Sequence, residues 1–361
     1  MKKQIRHFMF ALLATSAVLL YSCKNESDNI TAAINIDGKV IITNEGKFPD
    51  GSGTISAFDR ATKTVENNLF EMVNGRSLGN VVQSFTVFGT RAYICVNNAN
   101  KIEVTDATTL KSIGTIADIE LPRFFIGIDS TKGYVSTFNN AVKVVDLAHF
   151  AVTKSMPTGA GPERMCRVGN KVFVLNRGGL GNDSTITVID VTNDEVIKTV
   201  QVGDNPSGIQ MDNSGNLWII CSGIGFNGFP KPGDTKGRLI SLDPNDYTII
   251  KSFEFPDNER HPENLIINKS GDVLFYNHPE GIFKFSVSQD TLSTTPVIVH
   301  GNMFYGIGYD PVDEMICATD PLHYDQYGWV FRYGGSNYNP VDSFKVGMIP
   351  NGFWFSQPNI K

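Results

Sequence analysis

Three histidines, two glutamates and one recurring aspartate are the side chains whose types and spacing invite chemistry. His261, His278 and His323 lie toward one end of neighbouring repeat units, and three converging imidazoles could ligate a metal ion. Each adjoins a proline or an aromatic residue, so packing is the other reading. Glu163 and Glu263 follow prolines and could act as general acid and base only if they converged. An Asp ends an apolar strand at Asp59, Asp106, Asp146, Asp190 and Asp243. A carboxylate so placed bonds to its own turn, and its repetition argues for architecture. There is no GxSxG, HExxH, phosphate loop or HxH pair. The expectation is therefore a binding protein, not an enzyme, with no catalytic residue, resident metal or cofactor.

Cysteine spacing adds no site. Cys95, Cys166, Cys221 and Cys317 sit far apart in or beside apolar runs, as small buried thiols do. Asp212-Asn213-Ser214-Gly215-Asn216 looks like part of a calcium loop, but its early glycine and missing distal glutamate make it a hairpin turn.

The elements that must position these groups repeat. A strand ending in Asn or a similar residue closes at Asn44, Asn97, Asn139, Asn176, Ser222, Asn277 and Asp320. A strand usually ending in Asp follows, as in Ile55–Asp59 and Val142–Asp146. It degrades to Ile282–Ser286 and Trp329–Tyr333. Closing turns fall at Gly79-Asn80, Leu121-Pro122, Gly161-Pro162, Asn205-Pro206, His261-Pro262, Gly301-Asn302 and Ile349-Pro350. Period-2 apolar alternation between such turns means strands, and propeller blades recur at about 40–50 residues. The fold class is all-β: a seven-bladed β-propeller of four-stranded antiparallel blades. Ala33–Ile36 is expected to close the ring by pairing in the last blade beside Phe353–Phe355, which hides an open edge.

In such a blade, the loop between the second and third strands shares one face with the connection to the next blade. Every long insertion falls in the first loop set: Glu45 to Gly53, Arg177 to Ser184, Gly223 to Gly237 and Pro321 to Gly328. Inserted loops on one face are where repeat folds carry binding. The aromatic residues in them form either a self-packed cap or a broad binding rim. The candidate ligand-binding residues on this face are Phe48, Arg76, Asn80, Arg123, Phe124, Arg164, Met165, Phe226, Phe229, Glu263, Asn264, His278, Tyr305, His323, Tyr324, Tyr327 and Asn351.

The N-terminus reads as an export leader. Basic Lys2, Lys3 and Arg6 precede an apolar stretch from Phe8 to Leu20, too short for a permanent span. Leu20-Tyr21-Ser22-Cys23 resembles a bacterial lipobox, with Cys23 the acylated first residue of the mature chain. An incidental cysteine in a plain secretory leader is the alternative, and the abrupt polar run Lys24–Asp28 favours acylation. That run also resembles, with Asn25 interrupting, the surface-export signal of Bacteroidetes lipoproteins. The expected organisation is a signal peptide at 1–22, a lipidated Cys23 and tether at 23–32, and the propeller at 33–361. Removing the leader deletes three Lys/Arg and no Asp/Glu, taking the formal charge from −6 to −9. No basic face for nucleic acid remains, and membrane association rests on the lipid alone.

The Val-x-Val-x-Asp strands and Gly-x-x-Pro turns, from about Ile34 to the end, resemble the YncE-like and surface-layer propellers. With the leader, the chain is similar to the BtuG family of surface lipoproteins from gut Bacteroides. That resemblance implies capture of cobalamin (vitamin B12) or related corrinoids, and hand-over to a TonB-dependent outer-membrane transporter of BtuB type. It implies an outer-membrane, surface-exposed location. A glycan-binding surface lipoprotein, or a propeller lyase or hydrolase, remains the alternative.

Overall fold

The computed structural model describes residues 34–357, and these form a seven-bladed propeller. Six of the blades are four-stranded and all pairings are antiparallel. The innermost strands are Pro350–Phe355 in blade 1, Val82–Phe88 in blade 2, Pro122–Gly127 in blade 3 and Pro162–Val168 in blade 4. Pro206–Met211, Glu263–Ile267 and Ile307–Asp310 serve blades 5, 6 and 7. Blade 6 keeps three strands, and its outer segment is reduced to a bridge between Ile282 and Ile298. The segment before that bridge is Ser/Thr-rich and includes Pro296, which has no N–H to give a ladder.

The second strand of each blade explains the near-continuous apolar runs. Lys171–Asn176 is buried from Val172 onward, and Leu217–Cys221 is buried throughout. Neighbouring blades cover both faces, so inward and outward side chains alike must be apolar. Tyr93 of blade 2 stacks on Phe125 of blade 3 at 3.9 Å, and Phe58 of blade 1 on Phe344 of blade 7 at 4.4 Å. Each fully buried Val, Leu, Ile or Phe contributes about 1.5–3 kcal/mol of transfer free energy. Outer strands such as Glu195–Gln201 are almost wholly exposed.

The recurring Asp residues are architectural. Asp59 accepts backbone N–H bonds from Ala61 and Thr62, Asp106 from Thr108 and Thr109, and Asp146 from Ala148 and His149. Asp190 and Asp243 do the same with Thr192 and Asn245. These bonds hold the Asp59 and Asp106 carboxyls below the usual range. Asp212 caps its own hairpin through Ser214 and Asn216, and accepts the Trp218 indole N–H at 2.8 Å. Cys95, Cys221 and Cys317 are buried free thiols, and Cys166 is half-buried.

Ring closure joins the two ends of the chain, but the donor is the opposite of the one expected. Pro350–Phe355 pairs with Lys39–Asn44 and becomes the innermost strand of blade 1. That strand occupies the edge Ala33–Ile36 was expected to find. Ile34 to Ile36 form no strand; Ile36 instead packs, buried, into the core between blades 1 and 2 and donates its N–H to Thr108 O. Ala33, like the leader, Cys23 and the tether, lies outside the described residues. Arg60 locks the closure. Its guanidinium forms a bidentate pair with Asp310 of blade 7 at 2.8 and 2.9 Å, and bonds the carbonyls of Lys39 and Ser356.

Candidate functional site

The long loops and the blade-to-blade connections do share one face, and backbone hydrogen bonds lace them together. Gly53 N–H donates to Gly79 O, Arg177 N–H to Gly161 O, and Gly223 N–H to Asp204 O. One connection departs from the sequence pattern: Leu69–Asn74 makes a short helix that buries Leu69 and Phe70. The Gly223 to Gly237 loop is pinned to the connection below it. Asn227 accepts the His261 N–H at 2.6 Å and donates to the His261 carbonyl at 3.2 Å. Gly225, at φ +139, lies so close to the His261 ring that a Cβ there would meet Nε2 at 2.4 Å, so only glycine fits.

Two concavities open on this face. The upper bowl, about 760 Å³, lies under the Gly223 to Gly237 loop and includes Phe138, Leu180, Phe226, Asn227, Phe229, Met303 and Tyr324 in its wall. The central channel, about 580 Å³, is lined by innermost-strand residues such as Phe124, Arg164, Gln210, Asn264 and Asn351. Arg123, Glu163, Arg177, Glu263 and Tyr305 line both, so they form the waist between bowl and channel.

Bulges build that waist. In blades 1 to 6 the register of the innermost strand shifts at its loop-face end, as between Pro162 and Met165 and between Glu263 and Leu265. A bulge inserts an unpaired residue and re-aims its side chain. Here the freed residues include Gln83, Arg123, Glu163, Ser207 and Asn351, and all of them line the channel.

Hydrogen bonds join these groups into a polar belt. Arg123 bonds Gln83 Oε1 at 2.5 Å and pairs with Glu163 at 2.7 Å. Arg177 pairs with Glu263 at 2.6 Å. Asn264 donates to Tyr305 O, and the Tyr305 hydroxyl donates to Glu45 at 3.2 Å. Asn351 donates to Glu45 Oε1 and to Gln83 O, and accepts from Thr43 Oγ1. Burial pushes the Glu45 carboxyl above its ordinary value, against the bonds from Asn351 and Tyr305. It also pushes the Tyr305 hydroxyl up, with Glu45 adding to the effect. The Glu263 charge beside Arg177 raises that guanidinium, whereas burial lowers Arg164.

Of the residues expected from sequence, Arg123, Phe124, Arg164, Glu263, Asn264, Tyr305 and Asn351 meet at the channel. Phe226, Phe229 and Tyr324 stand around the bowl. Phe226 is 73% and Phe229 71% exposed, so they rim the bowl and do not pack as a closed cap. Tyr324 meets Tyr305 edge-on at 5.8 Å.

The remainder do not join either cavity. Phe48 is exposed at a separate loop tip. Arg76 turns onto Phe70 and pairs with Glu103, whose partners Ser112 and Lys101 belong to blade 2. Asn80 sits in a connection with its Oδ1 buried and unpartnered. Met165 packs into the core between blades 3 and 4, because the bulge shifts it one place round. Tyr327 is exposed beside Lys345.

The three histidines do not converge. His278 is buried against Phe255 and Phe283, His261 is buried with Nδ1 bonded to Ser222 O, and His323 is exposed. Among the described residues, no three His, Cys, Asp or Glu side chains stand close enough to share a metal ion. Glu163 and Glu263 are each engaged by an arginine. Sequence reading passed over Glu45, Gln83, Arg177 and Phe138. A signal for two of them exists: Glu45 and Arg177 each directly follow a strand-ending Asn.

Comparisons with known proteins agree on the architecture. A Quinonprotein alcohol dehydrogenase-like protein from Bacteroides thetaiotaomicron superposes with a TM-score of 0.66 at 14% identity, over 89% of this chain and 78% of that one. The computationally designed Ika8 protein gives 0.58 at 7% identity, over 88% and 91%. Hydrazine synthase from Kuenenia stuttgartiensis gives 0.51 at 17% identity, over 67% and 73%. At these identities the likeness is one of fold. No curated protein matches the sequence. Residues 37–360 match the family described as Domain of unknown function (DUF5074), and this propeller chain is a member of that family.

Proposed function

We propose that this protein captures cobalamin or a related corrinoid in the bowl of its loop face, as a binding protein and not as an enzyme. The observation that carries the reading is the open bowl of about 760 Å³ rimmed by exposed aromatic side chains over a hydrogen-bonding belt. A corrinoid is a broad ring fringed by neutral amides. It needs a wide opening, aromatic edges and many polar partners; a bowl of about 760 Å³ is within the range of small-molecule sites and would seat one side of so large a ring at its open mouth. Phe226, Phe229 and Tyr324 offer the aromatic edges, while the Asn182 side-chain amide N–H and the glycine-rich backbone offer neutral partners. Ion-paired Glu163 and Glu263 suit a positioning belt better than proton transfer.

The same proposal places the mature chain on the outer membrane through a lipid on Cys23. There it would pass its ligand to a TonB-dependent transporter of BtuB type, as the resemblance to the BtuG family implies. Equilibrium titration of the purified mature protein against a corrinoid panel and a glycan panel tests the ligand. Saturable binding of corrinoids with no glycan bound supports the reading; the reverse pattern makes the protein a glycan receptor.

A further inference from the structure

Arg164 is the odd cation of the channel. Arg123 and Arg177 each close on a carboxylate, but among the described residues no hydrogen bond or ion pair engages the Arg164 guanidinium. Its neighbour is the Phe124 ring, 4.8 Å from its central carbon. A ring face holds a guanidinium in place without neutralising it or using its five donors. Arg164 lines the channel but not the bowl, just below the waist formed by Arg123, Glu163 and Glu263. A guanidinium kept without a hydrogen-bonded partner in a concave site costs stability through desolvation, and the charges of Arg177 and Arg123 work against the attraction of Glu163.

We propose that Arg164 is the subsite for an anionic group of the captured ligand, a phosphate ester or a carboxylate that reaches from the bowl through the waist. The proposal rests on the loop face being the capture site, and it names the charge the ligand must carry. A charge-assisted, bidentate contact is the strongest use of a guanidinium. Its removal should weaken binding about tenfold to a hundredfold.

The test has two arms. In the first, inorganic phosphate and acetate are titrated calorimetrically, at constant ionic strength, into the wild-type mature protein, Arg164→Met and the outer-strand control Lys198→Met. One saturable site, weakened at least about tenfold in Arg164→Met and unchanged in Lys198→Met, is expected. Preference for phosphate or for acetate tells the two sources apart. Equal behaviour of wild type and Arg164→Met, or no saturable site, overturns the subsite. A melting temperature for Arg164→Met no lower than wild type shows that the fold survives the change.

In the second arm, cobalamin, which carries a phosphodiester, is compared with cobinamide, which lacks it. Loss of the cobalamin preference in Arg164→Met supports a phosphate ester as the bound group, and an unaltered preference overturns that assignment. Anion binding without any corrinoid binding retires the corrinoid reading and leaves the subsite standing.

Discussion

Arg177 reaches Glu263 at 2.6 Å across the mouth of the channel, although 86 positions of chain and the whole of blade 5 separate them. With Arg123 and Glu163 this makes two ion pairs on the waist, which hold four charged groups in fixed directions. Arg177 and Glu263 are partly exposed, so their pair should contribute less than about 1 kcal/mol to stability. Arg177→Met and Glu263→Gln are therefore expected to leave the denaturation midpoint nearly unchanged. A loss of several kcal/mol in either would make the belt a structural clamp.

The opposite is expected at the ring closure. Arg60 and Asp310 are both buried, and Arg60 also holds the carbonyls of Lys39 and Ser356. Removing one partner strands a buried charge, at a cost of about 3–5 kcal/mol. Asp310→Ala should lower the urea midpoint strongly without changing the slope. A midpoint equal to wild type would mean that water readily reaches the pair.

Glu45 supplies a pH test. Burial raises its carboxyl above the ordinary 4.5, so the folded protein binds this proton more tightly than the unfolded chain. The associated stability is complete below 4.5 and is lost as pH rises through the raised value. Glu45→Gln should remove that loss. In chemical denaturation between pH 4.5 and 7, wild type should weaken relative to Glu45→Gln as pH rises. Parallel curves would show that the site hydrates the carboxylate fully.

Seven blades were legible because three markers repeat in one order, and because a second strand covered on both faces must be apolar throughout. The closing turns Leu121-Pro122, Gly161-Pro162, His261-Pro262 and Ile349-Pro350 also marked where innermost strands begin, which brought out Arg123, Arg164, Glu263 and Asn351. Three things were not legible. Near a bulge the period-2 alternation slips by one place, so Met165 faces the core, while His278 ends its strand buried beside aromatic rings. Tyr305, which bonds Glu45, and Glu263, which pairs with Arg177, come from other blades, and only the closed ring brings them within reach. The donor of the closing strand was misread for a related reason: an apolar run at either terminus fits the same open edge.

The leader makes its own prediction. If Cys23 carries the lipid, Cys23→Ser should release a folded protein from the outer membrane into the soluble fraction. Fatty-acid label that persists in the Cys23→Ser protein would rule out that anchor.

The bowl is the central claim, and Phe226 with Phe229 tests it most directly. Both side chains are largely exposed, so truncation removes little core, and the melting temperature should hold to within about 0.5 kcal/mol of stability. Partial burial of two rings against a corrin edge should still weaken binding roughly tenfold to several-hundredfold. The measurement is a cobalamin titration of wild type and the Phe226→Ala, Phe229→Ala double variant, with melting curves taken on the same samples. The account predicts weakened binding at an unchanged melting temperature. Unchanged affinity with a lowered melting temperature would contradict it and make these aromatics part of a structural cap.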